Sequence, residues 1–359
     1  MKFSFKLMKT AKFQLTAIII AIFYVVGLLL WQNFSTFYAE EIFTLNKVEK
    51  ATKKLANNVT VGLYINNFPS FDFDKNQFIM DAFLSFRFEV GTESIDTISK
   101  FSFRNTNLQN LGVLYQSEPM IKLIGDDVMI SYHIQVEFKA PLEQKYFPIG
   151  DHRLNIILEN RSTSPNELIF NSSLDDFVLS KDLFVSIWQP KQKMVQSGYL
   201  ISKLNEKDPS LNIKYPAVVF TIDFENISNR NLYTLYFPMF VIFLIGLLSL
   251  TIEIAEISRL ALVAASLPIL VLFRTAIDAI SPEVGKITKV DFVYFLLVFL
   301  SLLILLFQAF ITLNLKKIKK LDEETQKRKI TRMENLNNLF FIIIILLLVA
   351  AITYDTFVR

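Results

Sequence analysis

Five uninterrupted apolar stretches, Leu15–Trp31, Leu235–Ile252, Ile257–Ile280, Phe292–Leu315 and Leu339–Phe357, limit what this chain can fold into. Each approaches the ~20 residues a helix needs to cross a bilayer, and backbone inside lipid must satisfy its own hydrogen bonds, which favours helices. One stretch lies near the start and four crowd together after residue 234, with the polar residues 32–234 between them. With 52% hydrophobic and 20% charged residues, the chain must divide into a lipid-facing part and a solvated part. The pattern predicts an all-β extracytoplasmic sandwich followed by an α-helical four-span transmembrane bundle, with an extra N-terminal transmembrane helix.

The net charge of +3 matters less than where the cations sit. Lys2, Lys6, Lys9 and Lys12 precede the first span, and Lys316, Lys317, Lys319, Lys320, Lys327, Arg328, Lys329 and Arg332 lie between the last two. By the positive-inside rule both clusters are cytoplasmic. Counting crossings then puts residues 32–234, the 281–291 loop and Arg359 outside, in a multi-pass protein of a bacterial inner membrane. Basic runs also occur in nucleic-acid or calmodulin-type patches, but the flanking spans argue against a nucleic-acid partner. The first span either anchors the chain or is a secretory signal. Its apolar run is longer than the roughly 7–15 residues of a signal core, and no small-residue cleavage site follows, which favours a retained anchor.

The expected divisions are a basic N-terminus (1–14), the anchor (15–31), a stalk (32–58), the β domain (59–230) and a four-span helical domain (231–359) with a basic loop (316–338). In the stalk, Leu45, Val48, Thr52 and Leu55 alternate spacings of three and four, as in an amphipathic helix with a seam. Either a bundled stalk or a solvated linker helix fits that spacing. From Val59 the pattern turns to period two, rich in β-branched and aromatic residues. Strands are predicted at 59–65, 78–88, 100–103, 128–138, 154–158, 168–170, 184–189, 195–203 and 217–224. Many short strands at such intervals suggest an antiparallel sandwich.

Catalytic signatures are missing: the two histidines, His133 and His152, sit in or beside strands, and the nine glycines form no phosphate-binding loop. An enzyme is not expected, and neither is a cofactor. The doublets Asp126–Asp127 and Asp175–Asp176 suit either a hard cation or a solvated turn. With no cysteine, the β domain must hold together by packing alone.

Several segments resemble the pentameric ligand-gated ion channels, the Cys-loop receptor superfamily, in its cysteine-free prokaryotic branch. Residues 59–88 are similar to that family's first two strands, with Asp81 at its acidic position and Phe88 where it usually has Trp. Tyr146-Phe147-Pro148-Ile149-Gly150-Asp151-His152 resembles the turn that opens the signature loop, its aspartate one place late. Arg230 resembles the arginine ending the last strand, Pro238 the proline of the first pore-domain helix, Arg259 the basic residue at the start of the pore helix, and Pro282 the proline closing it. The resemblance implies a ligand-gated ion channel: a homopentamer around a central pore, in a lipid bilayer, passing ions in response to a small molecule whose identity is open.

On that resemblance the pore lining is Ala261, Ala265, Pro268, Leu272, Thr275 and Ala279, with Glu253, Glu256 and Arg259 at the entrance. A ring of such apolar side chains dewets and forms a hydrophobic gate; a packed, non-conducting helix is the alternative. Pro268 stands where the family has a bulky aliphatic gate and is expected to kink the helix, moving the gate to Leu272. Acidic rings at Glu253 and Glu256 would attract cations. Glu256, Ser258, Arg259, Ser266, Arg274, Thr275 and Asp278 would be costly against lipid, which favours assembly. Arg274 and Asp278, four apart, suit an ion pair within or between subunits.

Coupling is expected through Asp72 and Asp74 in the 70–74 turn, Phe147, Pro148 and Asp151, and Arg230, against the 282–289 loop, with Arg230 pairing one of those acids. Trp188, Tyr199 and Tyr215 suit either an aromatic box for a cationic amine or core packing. A non-conducting membrane sensor or scaffold with the same fold is the rival reading, favoured by the apolar lining and Pro268.

Overall fold

The computed structural model describes residues 11–34, 40–48, 56–72, 76–106, 112–139, 142–185, 187–227, 230–281, 285–318 and 321–357. Contacts divide the chain into two units: residues 37–143 with 151–227, and residues 1–36 with 144–150 and 228–359. Asp74, Pro282, Thr52 and Leu55 lie outside the described residues.

The first unit is β-rich. Its strands are β1 Asn57–Asp72, β2 Gln77–Glu89, β3 Phe101–Phe103, β4 Val113–Gln116, β5 Met120–Ile124, β6 Asp127–Lys139, β7 His152–Asn160, β8 Leu168–Asn171, β9 Phe177–Leu179, β10 Trp188–Lys203 and β11 Asn212–Asn226. A seven-stranded sheet runs β4-β6-β2-β1-β8, with β5 on β6 and β9 on β1, and a four-stranded sheet runs β10-β11-β7-β3. The pairing is not purely antiparallel, because β8 and β9 both join β1 in parallel. Residues 184–189, expected as one strand, only begin β10 at Trp188. Alternation in β2 and β6 turns Phe78, Met80, Ala82, Leu84 and Phe86, with Ile130, Tyr132, Ile134, Val136 and Phe138, to one buried face. Phenylalanines from both sheets meet there, Phe68 with Phe224 at 6.0 Å, Phe103 with Phe138 at 5.5 Å and Phe177 with Phe220 at 5.1 Å. Aromatic packing supplies the cohesion that disulfides give small disulfide-bonded domains.

The segment Glu40–Val48 is not helical. Phe43 and Leu45 pack on Ile157, Leu200, Ala217 and Val219 of the four-stranded sheet, and Asn46 exchanges backbone hydrogen bonds with Tyr199 at 3.0 and 3.2 Å. A strap of extended chain thus replaces the helical stalk over these residues. A Cβ on Gly198 would come within 2.3 Å of the Asn46 carbonyl oxygen and 2.9 Å of the Leu45 Cβ. Gly198→Ala is therefore expected to lift the strap at a cost of about 1–3 kcal/mol, seen as faster proteolysis within residues 40–48; unchanged protection would refute the contact.

The second unit is helical: α1 Ala11–Phe34 precedes the short β-unit helix α2 Ile95–Ser99, and α3 Arg230–Leu248, α4 Ser258–Leu272, α5 Arg274–Asp278, α6 Lys289–Ile318 and α7 Glu323–Phe357 follow it in chain order. Five spans, α4 and α5 counted as one, are long and apolar enough to cross a membrane. α3 packs on α4 and α6, α4 on α6, α6 on α7, and α1 on α7. Gln14 donates to Asn338 at 2.8 Å and Tyr24 pairs with Thr353 at 3.1 Å. Both numbers rise together, so the first and last spans run parallel, as the count of crossings requires. Ile149, from the 144–150 turn, belongs to this core, and the Lys289 Nζ lies 5.3 Å from the Tyr146 ring centroid.

Candidate functional site

α4 and α5 separate into two faces. Arg259, Val263, Ser266, Leu270 and Ile277 recur at intervals of a helical turn and are buried, with Ser266 against Gly246 of α3. Ala261, Ala265, Pro268, Leu272, Thr275 and Ala279 all fall on the other side and are exposed in the protomer, Leu272 at 68%. Small, apolar side chains with one protruding leucine make up this stripe. α4 passes through Pro268 without a break and is interrupted at Phe273, just beyond Leu272.

Arg259 departs from its expected place at the pore entrance. It is 2% exposed and points into the bundle, where Nε donates to the Ser249 carbonyl at 2.9 Å and Nη2 donates to Asn337 Oδ1. Asn337 Nδ2 donates to the Leu250 carbonyl at 2.8 Å, and Gln308 Nε2 donates to Ser249 Oγ at 3.2 Å. The carbonyls freed where α3 ends thus find donors from α4, α6 and α7, and a cation near a helix C-terminus is electrostatically favoured. Arg259 thereby ties α4 to the end of α3 and to α7. Glu253 and Glu256 remain exposed. Glu253 lines a polar cavity of about 280 Å³ with Gln14, Glu334, Asn337 and Asn338.

Arg274 is paired inside its own chain, with Asp278 at 2.8 Å and with Asp291 at the start of α6. Asp291 also accepts from the Thr288 backbone N–H at 2.9 Å and hydroxyl at 2.7 Å, and the guanidinium lies 5.6 Å from both the Tyr294 and Phe295 rings. Ser266 and Arg274 thus find partners within the chain, whereas Arg259 keeps one buried donor, Nη1, without a partner among the described residues.

The expected aromatic box does not assemble. Tyr199 and Tyr215 are near neighbours across β10 and β11, but Trp188 opens β10 opposite Asn226, eleven residues from Tyr199 and so about 36 Å away. Trp188 is buried and edge-on to His152 at 4.8 Å, and Tyr199 lies under the strap with Lys214 Nζ 5.3 Å from its ring. Arg230, exposed in the first turn of α3, joins no ion pair among the described residues. Asp72 is half-buried. Asp151 is buried and accepts the Asn226 N–H at 2.9 Å, while Phe147 packs with Ile149 on the helical core and is joined to Pro148 by a cis peptide. The aspartate doublets serve turns: Asp176 accepts from Ser173, and the Asp126 carbonyl from Val90. Among the described residues no group of three His, Cys, Asp or Glu stands close enough to hold a metal.

Three ionic constellations in the β unit escaped the sequence reading. Arg153 grips Asp223 across β7 and β11 with two hydrogen bonds, 2.7 and 2.9 Å. Glu40 of the strap meets His152 Nδ1 at 2.7 Å and accepts the Arg153 N–H at 3.0 Å. Asp81 accepts from Asn66 at 2.6 Å and Gln135 at 2.8 Å and meets His133 Nε2 at 3.2 Å, below the Phe83 and Tyr115 rings that flank His133. Burial pushes the Asp81 carboxyl up, but the Asn66, Gln135 and His133 hydrogen bonds outweigh it and hold the group below the usual carboxylate range. A carboxyl so lowered stabilises the fold above its ordinary value, and the gain disappears as pH falls through the folded value. Asp81→Asn is thus expected to flatten the acid limb of a stability-against-pH curve below about pH 4; an unchanged limb would remove Asp81 from that account. No family model matches the chain, and no curated protein does.

Proposed function

We propose that the protein is a gated ion channel of the pentameric ligand-gated type, a homo-oligomer in which the exposed stripe of α4 and α5 lines the pore. The observation that carries this reading is the division of that span: Arg259, Val263, Ser266, Leu270 and Ile277 are buried in the bundle, while the six residues of the stripe face outward together, with Ile269 and Val271 exposed beside them. A face made of three alanines, a proline, a threonine and a large leucine suits a shared axis whose narrowest ring is Leu272, a constriction that closes by dewetting. Glu253 and Glu256 place negative charge near one end of the stripe, which favours cations. The β-rich unit then supplies the gating stimulus.

The in-chain pairing of Arg274 and the burial of Arg259 within the bundle favour the second reading, a non-conducting sensor or scaffold, because both arginines are held by groups of their own chain. Reconstitution of the purified protein in planar bilayers separates the two. The channel reading expects unitary currents that change on substituting Leu272, and the mass of the detergent-solubilised protein is expected to equal five chains. Silence across ligands and pH, together with a monomeric mass, would favour the scaffold.

A further inference from the structure

We propose that the cleft at the loop end of the α6–α7 hairpin binds the phosphate of an anionic phospholipid headgroup. α6 finishes with Lys316 and Lys317 in its last turn. α7 returns with Lys329 and Arg332, three residues apart and so on one face. Lys317, Lys329 and Arg332 line a cleft of about 320 Å³ with Asn314, and Phe310 and Met333 form apolar wall.

No carboxylate is among its lining residues, and among the described residues none of the three cations joins an ion pair. Of the carboxylates close by in sequence, Glu324 pairs with Arg328 at 3.5 Å and Asp322 caps the Thr325 N–H at 3.0 Å. Asp322 is held below the usual carboxylate range first by its bonds from Thr325, and least by the charge of Lys329.

Three like charges around one cleft repel one another, and an anion shared among them converts that repulsion into charge-assisted hydrogen bonds. Basic pockets between spans on the cytoplasmic side recognise headgroups in this way. The apolar wall selects a phosphate carried on an acyl chain. Beside the cleft, the α6 shaft exposes Leu306, Phe310 and Leu313, at 59%, 50% and 61%, a surface along which such a chain lies. The inference rests on α6 and α7 crossing the membrane with the basic loop inside, and is independent of conduction.

The test is native mass spectrometry of the full chain purified in detergent, titrated with phosphatidylglycerol or phosphatidylcholine. The parent is expected to retain phosphatidylglycerol selectively. The triple variant Lys317→Gln/Lys329→Gln/Arg332→Gln is expected to bind it on the order of a hundredfold more weakly, about fivefold per cation. The control Lys327→Gln/Arg328→Gln, in the same loop but outside the cleft, is expected to bind as the parent does. Equal retention by parent and triple variant overturns the site, and an equal loss in the control reduces it to diffuse surface charge and overturns it too. Displacement of the lipid by millimolar inorganic phosphate would overturn the lipid source in favour of a free anion. Lys329→Glu alone carries the same comparison should the triple variant lose helix content.

Discussion

On the channel reading proposed above, replacing Leu272 with serine is expected to raise the resting open probability of the reconstituted protein by an order of magnitude or more. Leu272 is 68% exposed in the protomer, so the change removes little packing and its effect on currents is not confounded by misfolding. In each subunit it exchanges a side chain that prefers a dry environment by about 2 kcal/mol for a hydroxyl that holds water. Repeated around a ring, that preference decides whether the constriction is wetted. Val263→Ser provides the contrast, because Val263 is fully buried: it is expected to weaken the bundle without opening a path. Parent-like currents from Leu272→Ser would move the gate away from this residue.

Arg153→Ala is expected to destabilise the β unit by about 3–5 kcal/mol, because it strands the carboxylate of Asp223 at 2% exposure without its partner. For a domain of this size that corresponds to a fall of roughly 6–20 °C in Tm. Trp188 is buried in this unit, so its fluorescence reports the transition. The double variant Arg153→Met/Asp223→Leu, which removes both charges together, is expected to recover most of the loss, since well-packed apolar replacements for buried pairs are near neutral. A loss under about 1 kcal/mol in Arg153→Ala would show that water reaches the pair.

The spans and the longer strands were legible because each rests on a local period read over many residues. All five apolar stretches are helices, and Val128–Phe138 and Phe78–Phe88 lie inside β6 and β2. Arg259 shows where local reading stopped. Its charge suggested an aqueous mouth, yet it is in phase with Val263, Ser266 and Leu270 rather than with Ala261 and Ala265, and that spacing already put it on the buried face. The donors and acceptors it meets, Ser249 and Asn337, come from other helices, which no period reveals.

The strap misled for a related reason. Leu45 and Val48 fit a helical interval, but Phe43 and Leu45 alternate, and in so short a window the two periods are indistinguishable. What decided the matter was a neighbour, the sheet face at Ile157 and Leu200. Arg153 and Asp223 stand 70 residues apart and meet only through the register of β7 with β11. Trp188, Tyr199 and Tyr215 show the opposite case: Trp188 sits at the start of β10, far from the neighbouring Tyr199 and Tyr215, so being in the same late strands does not bring the three together.

The chain contains no cysteine, so single cysteines placed at Ala261, Ala265, Pro268, Leu272, Thr275 and Ala279 give each labelled protein one reactive thiol. A charged, membrane-impermeant thiol reagent applied during bilayer recording is expected to reduce or abolish the current at these positions and to leave a cysteine at buried Val263 unmodified. Currents untouched at all six positions, or thiols there that react only with lipid-soluble reagents, would contradict a water-filled path along this helix.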